Sequence, residues 1–314
     1  MDYTEDLFES IEERNKEYNA LIRGVEYNKG VQVKNIQNVI TKFDVKGLVE
    51  AIEYKIAVRK MMKYQKPSIA PELLKQTSTY DSYTALKEKK IVVYTCITGN
   101  YDLLKEPLLD FDNVEYVCFT NNMENIQTVK NTKWKIKKIP AQIASLNSNT
   151  LINRYIKLHP HKLFQDVDYA VYVDGNIKMI SFLGAYLMKT KEKAGIAIYA
   201  HNQRGCAYDE ANSCILRKKG NKSYIEQQMA RYKAEGFPKN FGLYECTIIA
   251  TDLRNETAHQ VFEAWWKEFV DSKSLRDQLS LPYVMWKNGF QYTDIGLLGA
   301  NIFDDCKITV YSHS

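Results

Sequence analysis

The sequence predicts an α/β protein with a mainly parallel central sheet, preceded by an α-helical extension. From residue 89 onwards, short β-rich runs alternate with segments of helical periodicity, whereas residues 1 to about 66 show helical spacing. The 314 residues are 45% hydrophobic and 26% charged, which is typical of a globular protein. That length allows one large domain with an extension.

The N-terminal part is predicted to form helices. Its apolar residues recur at three- and four-residue steps at Leu7, Phe8, Ile11, Tyr18, Leu21 and Ile22. We expect a break at residues 24–30, a second helix at 45–64, and a linker rich in Ser, Thr and Tyr from Pro67 to about residue 88. The sequence therefore divides into an extension and linker, residues 1–88, and an α/β domain, residues 89–314.

A basic stretch at residues 54–66 holds five lysines and arginines and no acid, interleaved with apolar residues. It fits a helix on an anionic membrane surface, or an ordinary helix packed on the α/β domain or on a second subunit; we favour packing. The chain has no signal peptide and no run of about 18 apolar residues, so we expect a cytoplasmic protein with reduced thiols, at most peripheral at the membrane. The net charge is +5, and no stripe of basic residues coincides with the aromatic-rich segments, which argues against nucleic-acid binding.

Five strands and four helices of the α/β domain can be placed from the pattern. The strands are predicted at residues 91–97, 114–119, 169–173, 196–200 and 246–250. The helices are predicted at residues 149–158, 182–190, 222–235 and 257–270. Ligands of such sheets bind beyond the carboxyl ends of the strands, so the polar segments that follow the strands are the candidate site.

The most informative of these segments follows the strand at residues 169–173. It reads Asp174-Gly175-Asn176, a carboxylate beside a glycine at a strand end. Such a carboxylate can reach a divalent cation that bridges diphosphate oxygens, although Asp-Gly and Gly-Asn also form plain turns.

Three further segments could bind the rest of a nucleotide. Thr98 and Tyr101 follow the first strand, and Thr120 and Asn121 end the second; these groups could stack on a base and read its edge, or be ordinary loops. On the helix at residues 149–158, Arg154 and Lys157 share one face, which suits a diphosphate or a solvated basic surface.

The later segments carry groups suited to sugar hydroxyls and to reaction chemistry. His201, Arg204 and Glu210 follow the fourth strand, and Glu245 enters an otherwise apolar strand, where a carboxylate is costly without a role. Asp277-Gln278 precede a helical run, which Asp277 could simply cap.

Seven motifs in one order resemble a glycosyltransferase-like family, formerly a domain of unknown function, of bacterial capsule and O-antigen loci and of plant proteins linked to pectin and mucilage. The motifs are I-T-G-N-Y-D at 97–102, C-F-T-N at 118–121, R-x-x-K-x-x-P-H at 154–161, V-D-G-N at 173–176, H-x-x-R-x-C-x-Y-D-E-A at 201–211, G-L-Y-E at 242–245 and R-D-Q-L-S at 276–280. The resemblance covers about residues 89–290 and leaves the extension outside.

The resemblance implies a GT-A fold and a motif order similar to that of retaining, glycogenin-like galactosyl- and glucosyltransferases. It implies a Mn or Mg ion held by Asp174, with Asn176 where a second Asp is usual and His313 completing the metal shell. Asp277 and Gln278 would lie at the reaction centre, with Glu245 the other candidate catalytic carboxyl.

From these features we expect a hexosyltransferase that uses a UDP-sugar and a glycan or lipid-linked glycan acceptor in surface polysaccharide synthesis. Retention is favoured by analogy; inversion would require Asp277 or Glu245 as base. The alternatives are a nucleotide-sugar hydrolase and a catalytically weakened glycan- or nucleotide-binding scaffold. The N-terminal helices are expected to pack on the α/β domain or to form a homo-oligomer.

Overall fold

The described part of the chain forms one seven-stranded sheet and a separate two-stranded sheet. A computed structural model describes residues 3–33, 68–126 and 132–313, together with residue 56. Its strands are β1 Ile91–Ile97, β2 Val114–Thr120, β3 Lys135–Lys138, β4 Tyr169–Val173, β5 Ile177–Met179, β6 Ile196–Ala200, β7 Tyr244–Asp252, β8 Gly296–Leu297 and β9 Ile308–Val310. The large sheet has the order β3-β2-β1-β4-β7-β6-β8, and β5 pairs with β9.

All neighbouring strands of the large sheet are parallel except β7, which runs antiparallel to both β4 and β6. Every residue of β1 and β6 is buried, as expected for strands covered on both faces. The α/β class and the mainly parallel sheet are therefore confirmed.

Helices cover both faces of this sheet. The α-helices are α1 Glu5–Val33, α2 Pro71–Leu74, α3 Thr79–Leu86, α4 Met123–Ile126, α5 Ala141–Ala144, α6 Asn149–Leu158, α7 Pro160–Leu163, α8 Gly184–Leu187, α9 Ala207–Leu216, α10 Lys222–Ala234, α11 Glu256–Ser272 and α12 Asp277–Lys287, and 3₁₀ turns occupy Met188–Lys191, Tyr292–Asp294 and Ile302–Asp304. Alternate residues of β1 enter two apolar cores: Tyr94 packs with Ile156 of α6, and Val93 packs with Phe8 of α1. Because apolar cores cover both faces of the sheet, we look for the polar site at its edge.

Several predicted boundaries differ from the structure. The predicted break at residues 24–30 is wrong: α1 continues to Val33, because a glycine inside a helix costs only about 1 kcal/mol. The predicted linker contains α2 and α3; Ser78 caps α3 by accepting a hydrogen bond from the Asp81 amide, and Leu86 is buried. The helix predicted at 182–190 is a short α-helix followed by a 3₁₀ turn, and α9 was not predicted.

The first N-terminal helix packs on the α/β domain. Asn15 and Asn19, one turn apart on α1, are 5% and 8% exposed. The Asn15 amide donates to the carbonyls of Cys306 (2.8 Å) and Ile308 (2.9 Å), and that of Asn19 donates to Ile308 (2.8 Å) and Asp305 (3.1 Å). The expected packing is confirmed for α1, whereas the predicted helix at 45–64 and the basic stretch 54–66 lie outside the described residues apart from residue 56.

Two further features concern the cysteines and the helices. All six cysteines are free, and five of them are buried. Among the residues placed by the structure, no helix is long and apolar enough to cross a bilayer.

Candidate active site

A cavity of about 630 Å³ opens at the carboxyl edge of β1 and β4. Its wall includes Thr98 after β1, Asp174 after β4, Glu245 of β7, and side chains of α6 and α12. Ligand sites commonly enclose about 300–1,000 Å³, so the cavity can hold a nucleotide-sized molecule.

The antiparallel strand β7 contributes to this edge because its first residues, not its last, lie beside the end of β4. Its register against β6 shifts between Ile198, opposite Ile249, and Tyr199, opposite Glu245. Such bulges re-aim side chains. The Asp174 amide donates to the Thr247 carbonyl at 3.0 Å, so the bulged segment also fixes the start of the Asp-Gly-Asn turn.

The glycine inside that turn leaves no room for a side chain. A Cβ on Gly175 would lie 2.9 Å from Cγ1 of Ile97 and 3.0 Å from Cβ of Asp102. The turn closes with the Ile177 amide donating to the Asp174 carbonyl at 3.0 Å. The tight packing places the Asp102 carboxylate directly against the turn.

A buried charge cluster lies behind Asp174. Nζ of Lys157, whose side chain is 2% exposed, lies 2.8 Å from Oδ2 of Asp277 and 3.9 Å from Oδ1 of Asp174, and Nε of Arg154 lies 2.9 Å from the same oxygen of Asp277. Burial alone would raise the pKa of Asp277, but the charges of Arg154 and Lys157 outweigh it and hold that pKa well below its usual range. Asp277 is therefore ionised and shared by two cations.

A second cluster surrounds His201. Nδ1 of His201 accepts hydrogen bonds from the backbone amides of Gln203 and Arg204, both at 3.1 Å, and Nε of Arg204 lies 2.6 Å from Oε2 of Glu210. Burial lowers the pKa of His201 to about 4, so the imidazole is neutral at pH 7. The other ring nitrogen, Nε2, lies 3.2 Å from Nη2 of Arg204 and 4.0 Å from Oε2 of Glu245.

Burial also raises the pKa of Glu245. Its Oε1 accepts a hydrogen bond from the Thr247 hydroxyl at 2.8 Å, which opposes that rise. Glu245 and Asp277 are thus two carboxyl groups of one cavity with opposite pKa shifts, an arrangement that separates the roles of acid–base group and fixed charge.

The C-terminal segment completes the wall. The Asn176 side-chain amide donates to the Tyr311 carbonyl (2.7 Å), and the Tyr311 amide donates to the Asn176 carbonyl (3.0 Å). This pairing continues the β5–β9 ladder and brings His313 to the cavity, where its Nδ1 lies 3.0 Å from Oδ1 of Asp102 and its ring lies 4.9 Å from that of Tyr101.

Twelve of the fifteen predicted site residues line this single cavity: Thr98, Tyr101, Arg154, Lys157, Asp174, His201, Arg204, Glu210, Glu245, Asp277, Gln278 and His313. Thr120, Asn121 and Asn176 lie outside its wall. The Thr120 hydroxyl accepts from the Asn122 amide (3.0 Å), and Asn121 joins two loops of the wall by accepting from the Gly99 amide (2.8 Å) and donating to Oδ1 of Asn149 (3.0 Å).

Eight polar residues of the wall were not predicted as site residues: Asp102, Asn149, Thr150, Asn153, Arg217, Lys219, Thr247 and Arg276. Asp102 was visible as the last residue of the I-T-G-N-Y-D motif. Arg217 and Lys219 carry no local signal, because they lie in a loop after a helix that the pattern did not predict.

The comparisons with known proteins identify a family for most of the chain. Residues 75–312 match the TOD1/MUCI70, glycosyltransferase-like domain family, which is most of the chain. No curated protein sequence matches. A solved structure, the apo form of mouse xyloside xylosyltransferase 1, is 9% identical with a TM-score of 0.39 over 66% of this chain and 83% of that one, a similarity too low to carry an argument.

Proposed function

Because the chain belongs to the TOD1/MUCI70 glycosyltransferase-like family, we propose that it transfers a hexose, galactose or glucose favoured, from a UDP-sugar to a glycan or glycolipid acceptor. The observation that carries this proposal is the cavity at the carboxyl edge of the sheet, where residues of six of the seven motifs meet. The seventh motif, at 118–121, joins them through Asn121, whose side-chain amide donates to Asn149 of the wall. The product would enter a surface polysaccharide, and residues 89–314 would form the catalytic domain with residues 1–88 as its extension.

The donor would lie along the β1–β4 half of the cavity. Thr98 and Tyr101 would contact the nucleoside, with Thr120 and Asn121 shaping the loop beside them. Arg154, whose side chain is 20% exposed, would reach the diphosphate with its remaining donors. Lys157 is too buried to extend far, so it would act on the diphosphate mainly through its charge.

A Mn or Mg ion is part of this proposal. Asp174, Asp102 and His313 line one cavity and offer the oxygen and nitrogen donors that such ions accept, while Oδ1 of Asn176 is buried without a hydrogen-bond partner among the described residues. Within the described ranges these groups are not gathered into a set of three that would hold an ion by themselves. The donor diphosphate would therefore have to supply further ligands, and the ion would stabilise charge on the departing nucleoside diphosphate.

Retention of configuration is the proposed outcome. Asp277 is a poor base because its pKa is depressed, and it is better suited to stabilise positive charge near the anomeric carbon, beside Gln278, whose amide donates to the Tyr244 carbonyl at 2.9 Å. The raised pKa of Glu245 makes it the base if the reaction inverts. His201, Arg204 and Glu210 would contact sugar hydroxyls.

The deciding experiment is a donor screen that measures nucleoside diphosphate release from UDP-, GDP- and CMP-sugars, with and without oligosaccharide acceptors. We expect acceptor-dependent release of UDP, and loss of at least about 100-fold in Asp174→Asn, in line with the loss of one electrostatic contact to the transition state. Asp166→Asn, the same charge change on an exposed residue before β4, is the matched control.

Other results would indicate a different function or stereochemical outcome. Release of free sugar without acceptor would indicate a hydrolase. Absence of UDP binding by calorimetry with Mn, in wild type as in Asp174→Ala, would indicate a glycan-binding scaffold and refute the transferase proposal. The anomeric configuration of the product, read by NMR, distinguishes retention from inversion.

The proposed setting is the cytoplasm, with contact at the inner face of the membrane. Support comes from the six free cysteines and from the acceptor class. Oligomerisation through the N-terminal helices remains part of the proposal, to be tested by comparing the solution mass of the full chain with that of a variant lacking residues 1–66.

A further inference from the structure

Three cations lie at one end of the cavity, which we call the basic end: Arg217 and Lys219, which follow α9, and Arg276, which precedes α12. The two loops touch at Gly220. A Cβ there would lie 2.9 Å from the Ser274 carbonyl oxygen and 3.5 Å from Cγ of Arg276, so the close approach depends on a glycine with φ +94°.

Among the described residues, no carboxylate forms a close ion pair with the cations of the basic end. Elsewhere in the cavity each cation has a carboxylate: Arg154 and Lys157 share Asp277, and Arg204 pairs with Glu210. Arg217, Lys219 and Arg276, by contrast, have no carboxylate within 4.0 Å among the residues that the structure places.

Arg276 is the most informative of the three. It is half-buried, and its Nε has no hydrogen-bond acceptor in the described part of the chain. Asp277 and Glu210 act on this guanidinium only from beyond 4.0 Å. Withdrawing it from water without a close counter-ion costs free energy, which an incoming anion would recover. Cations that line a concave, low-dielectric wall also attract anions from solution.

The position of the basic end indicates which substrate carries the anion. The loops proposed to bind the nucleoside follow β1 and β2, whereas α9 follows β6, on the opposite side of β4 and β7 in the sheet. The basic end therefore lies on the side of His201 and Glu210, away from Tyr101.

We propose that the basic end is a subsite for an anionic group of the acceptor, a carboxylate or a phosphate. This rests on the proposed transferase function, since it assigns the acceptor side of the same cavity. The guanidinium of Arg276 can donate two hydrogen bonds to two oxygens of either group. Arg217 and Lys219, which follow α9, add positive charge without a fixed hydrogen-bonding geometry. A uronic acid residue and a lipid-linked sugar diphosphate both offer this chemistry.

The test compares ligand pairs that differ in charge, titrated calorimetrically into the full chain with UDP and Mn present. One pair is trigalacturonate and its methyl ester; the other is a short-alkyl diphosphate-linked glucose and the matching alkyl glucoside. We expect at least one anionic member to bind about tenfold or more tightly than its neutral partner, as hydrogen bonds to charged groups imply. The pair that shows the preference identifies the source of the anion.

Two variants and a control complete the design. The double variant Arg217→Gln/Lys219→Gln alters only exposed side chains, so the fold should persist, whereas Arg276→Gln removes the half-buried cation. Each variant should abolish most of the preference for the anionic ligand and leave UDP affinity unchanged. Lys218→Gln, between the first two but outside the cavity wall, should change nothing.

Equal binding of both members in both pairs would overturn the inference, and so would a loss of UDP affinity in the variants, which would assign these cations to the donor. The two proposals fail separately. A charge preference without any UDP-sugar turnover would refute the transferase proposal and leave the anion subsite standing. Turnover without a charge preference would refute the anion subsite and leave the transferase proposal standing.

Discussion

The N-terminal helix is predicted to determine where His313 lies, and Asn15→Ala tests this. Asn15 makes three hydrogen bonds to the C-terminal segment: its amide donates to the Cys306 and Ile308 carbonyls, and its Oδ1 accepts from the Thr309 hydroxyl at 2.8 Å. At about 1 kcal/mol for each net bond, the variant should lose about 2–3 kcal/mol of the free energy of unfolding. The lower value allows for the Ile308 carbonyl, which keeps its bond from Asn19.

The effect should be local before it is global. Among the strands that the structure places, β9 pairs with β5 alone, and Tyr311 and His313 follow it, so weakening its hold on α1 should free this segment first. Hydrogen exchange followed by mass spectrometry should show faster exchange in residues 306–312, with β1 and β4 unchanged, and calorimetry should show weaker UDP binding with Mn. Denaturant unfolding supplies the stability value.

Lys16→Ala is the control on the same helix, because Lys16 is exposed and next to Asn15 in sequence. It should leave exchange, stability and UDP affinity unchanged. If Asn15→Ala loses stability while exchange in residues 306–312 and UDP affinity stay at wild-type values, the helix is only a stabilising element and the reasoning about His313 is refuted.

Three further predictions concern the centre of the cavity. Asp277→Asn should cost about 3–5 kcal/mol in denaturant unfolding, because it leaves the buried Lys157 and Arg154 without their shared counter-ion. Since the pKa of Asp277 is lower in the folded protein than the ordinary value of 3.8, its stabilising effect is present above that pH and lost as the pH falls below it. The free energy of unfolding should therefore fall less steeply with acid in Asp277→Asn than in the wild type. An unchanged dependence on pH would contradict the ion-pair account. Gly175→Ala should cost about 1–3 kcal/mol and weaken UDP binding by displacing Asp102; wild-type affinity would show that the turn adapts.

The strands of the α/β domain could be predicted because buried strands have an apolar composition that the sequence shows directly. β1 and β4 are continuous apolar runs, as required of strands with helices on both faces, and a polar segment ends each one. Helix α6 could likewise be placed, since Ser148 caps it and its apolar side chains keep helical spacing. These local signals located most of the cavity wall.

Other features depend on partners far apart in the chain. The direction of β7 and the bulge before Glu245 follow from pairing with β4 and β6, which no local pattern encodes. Asn176 was predicted as a metal ligand by resemblance, and its amide is bonded to the Tyr311 carbonyl, 135 residues away.

The sequence by itself determined the class of fold, the edge of the sheet that carries the site, and most of the polar groups there, because periodicity and strand ends are local properties. The tertiary structure alone decided how those groups are paired. It showed that Lys157 and Arg154 share Asp277, and that Arg276 has no carboxylate within 4.0 Å among the described residues. Charge pairing depends on distances of a few ångströms between segments that only packing brings together, and the chemistry of the cavity follows from those distances.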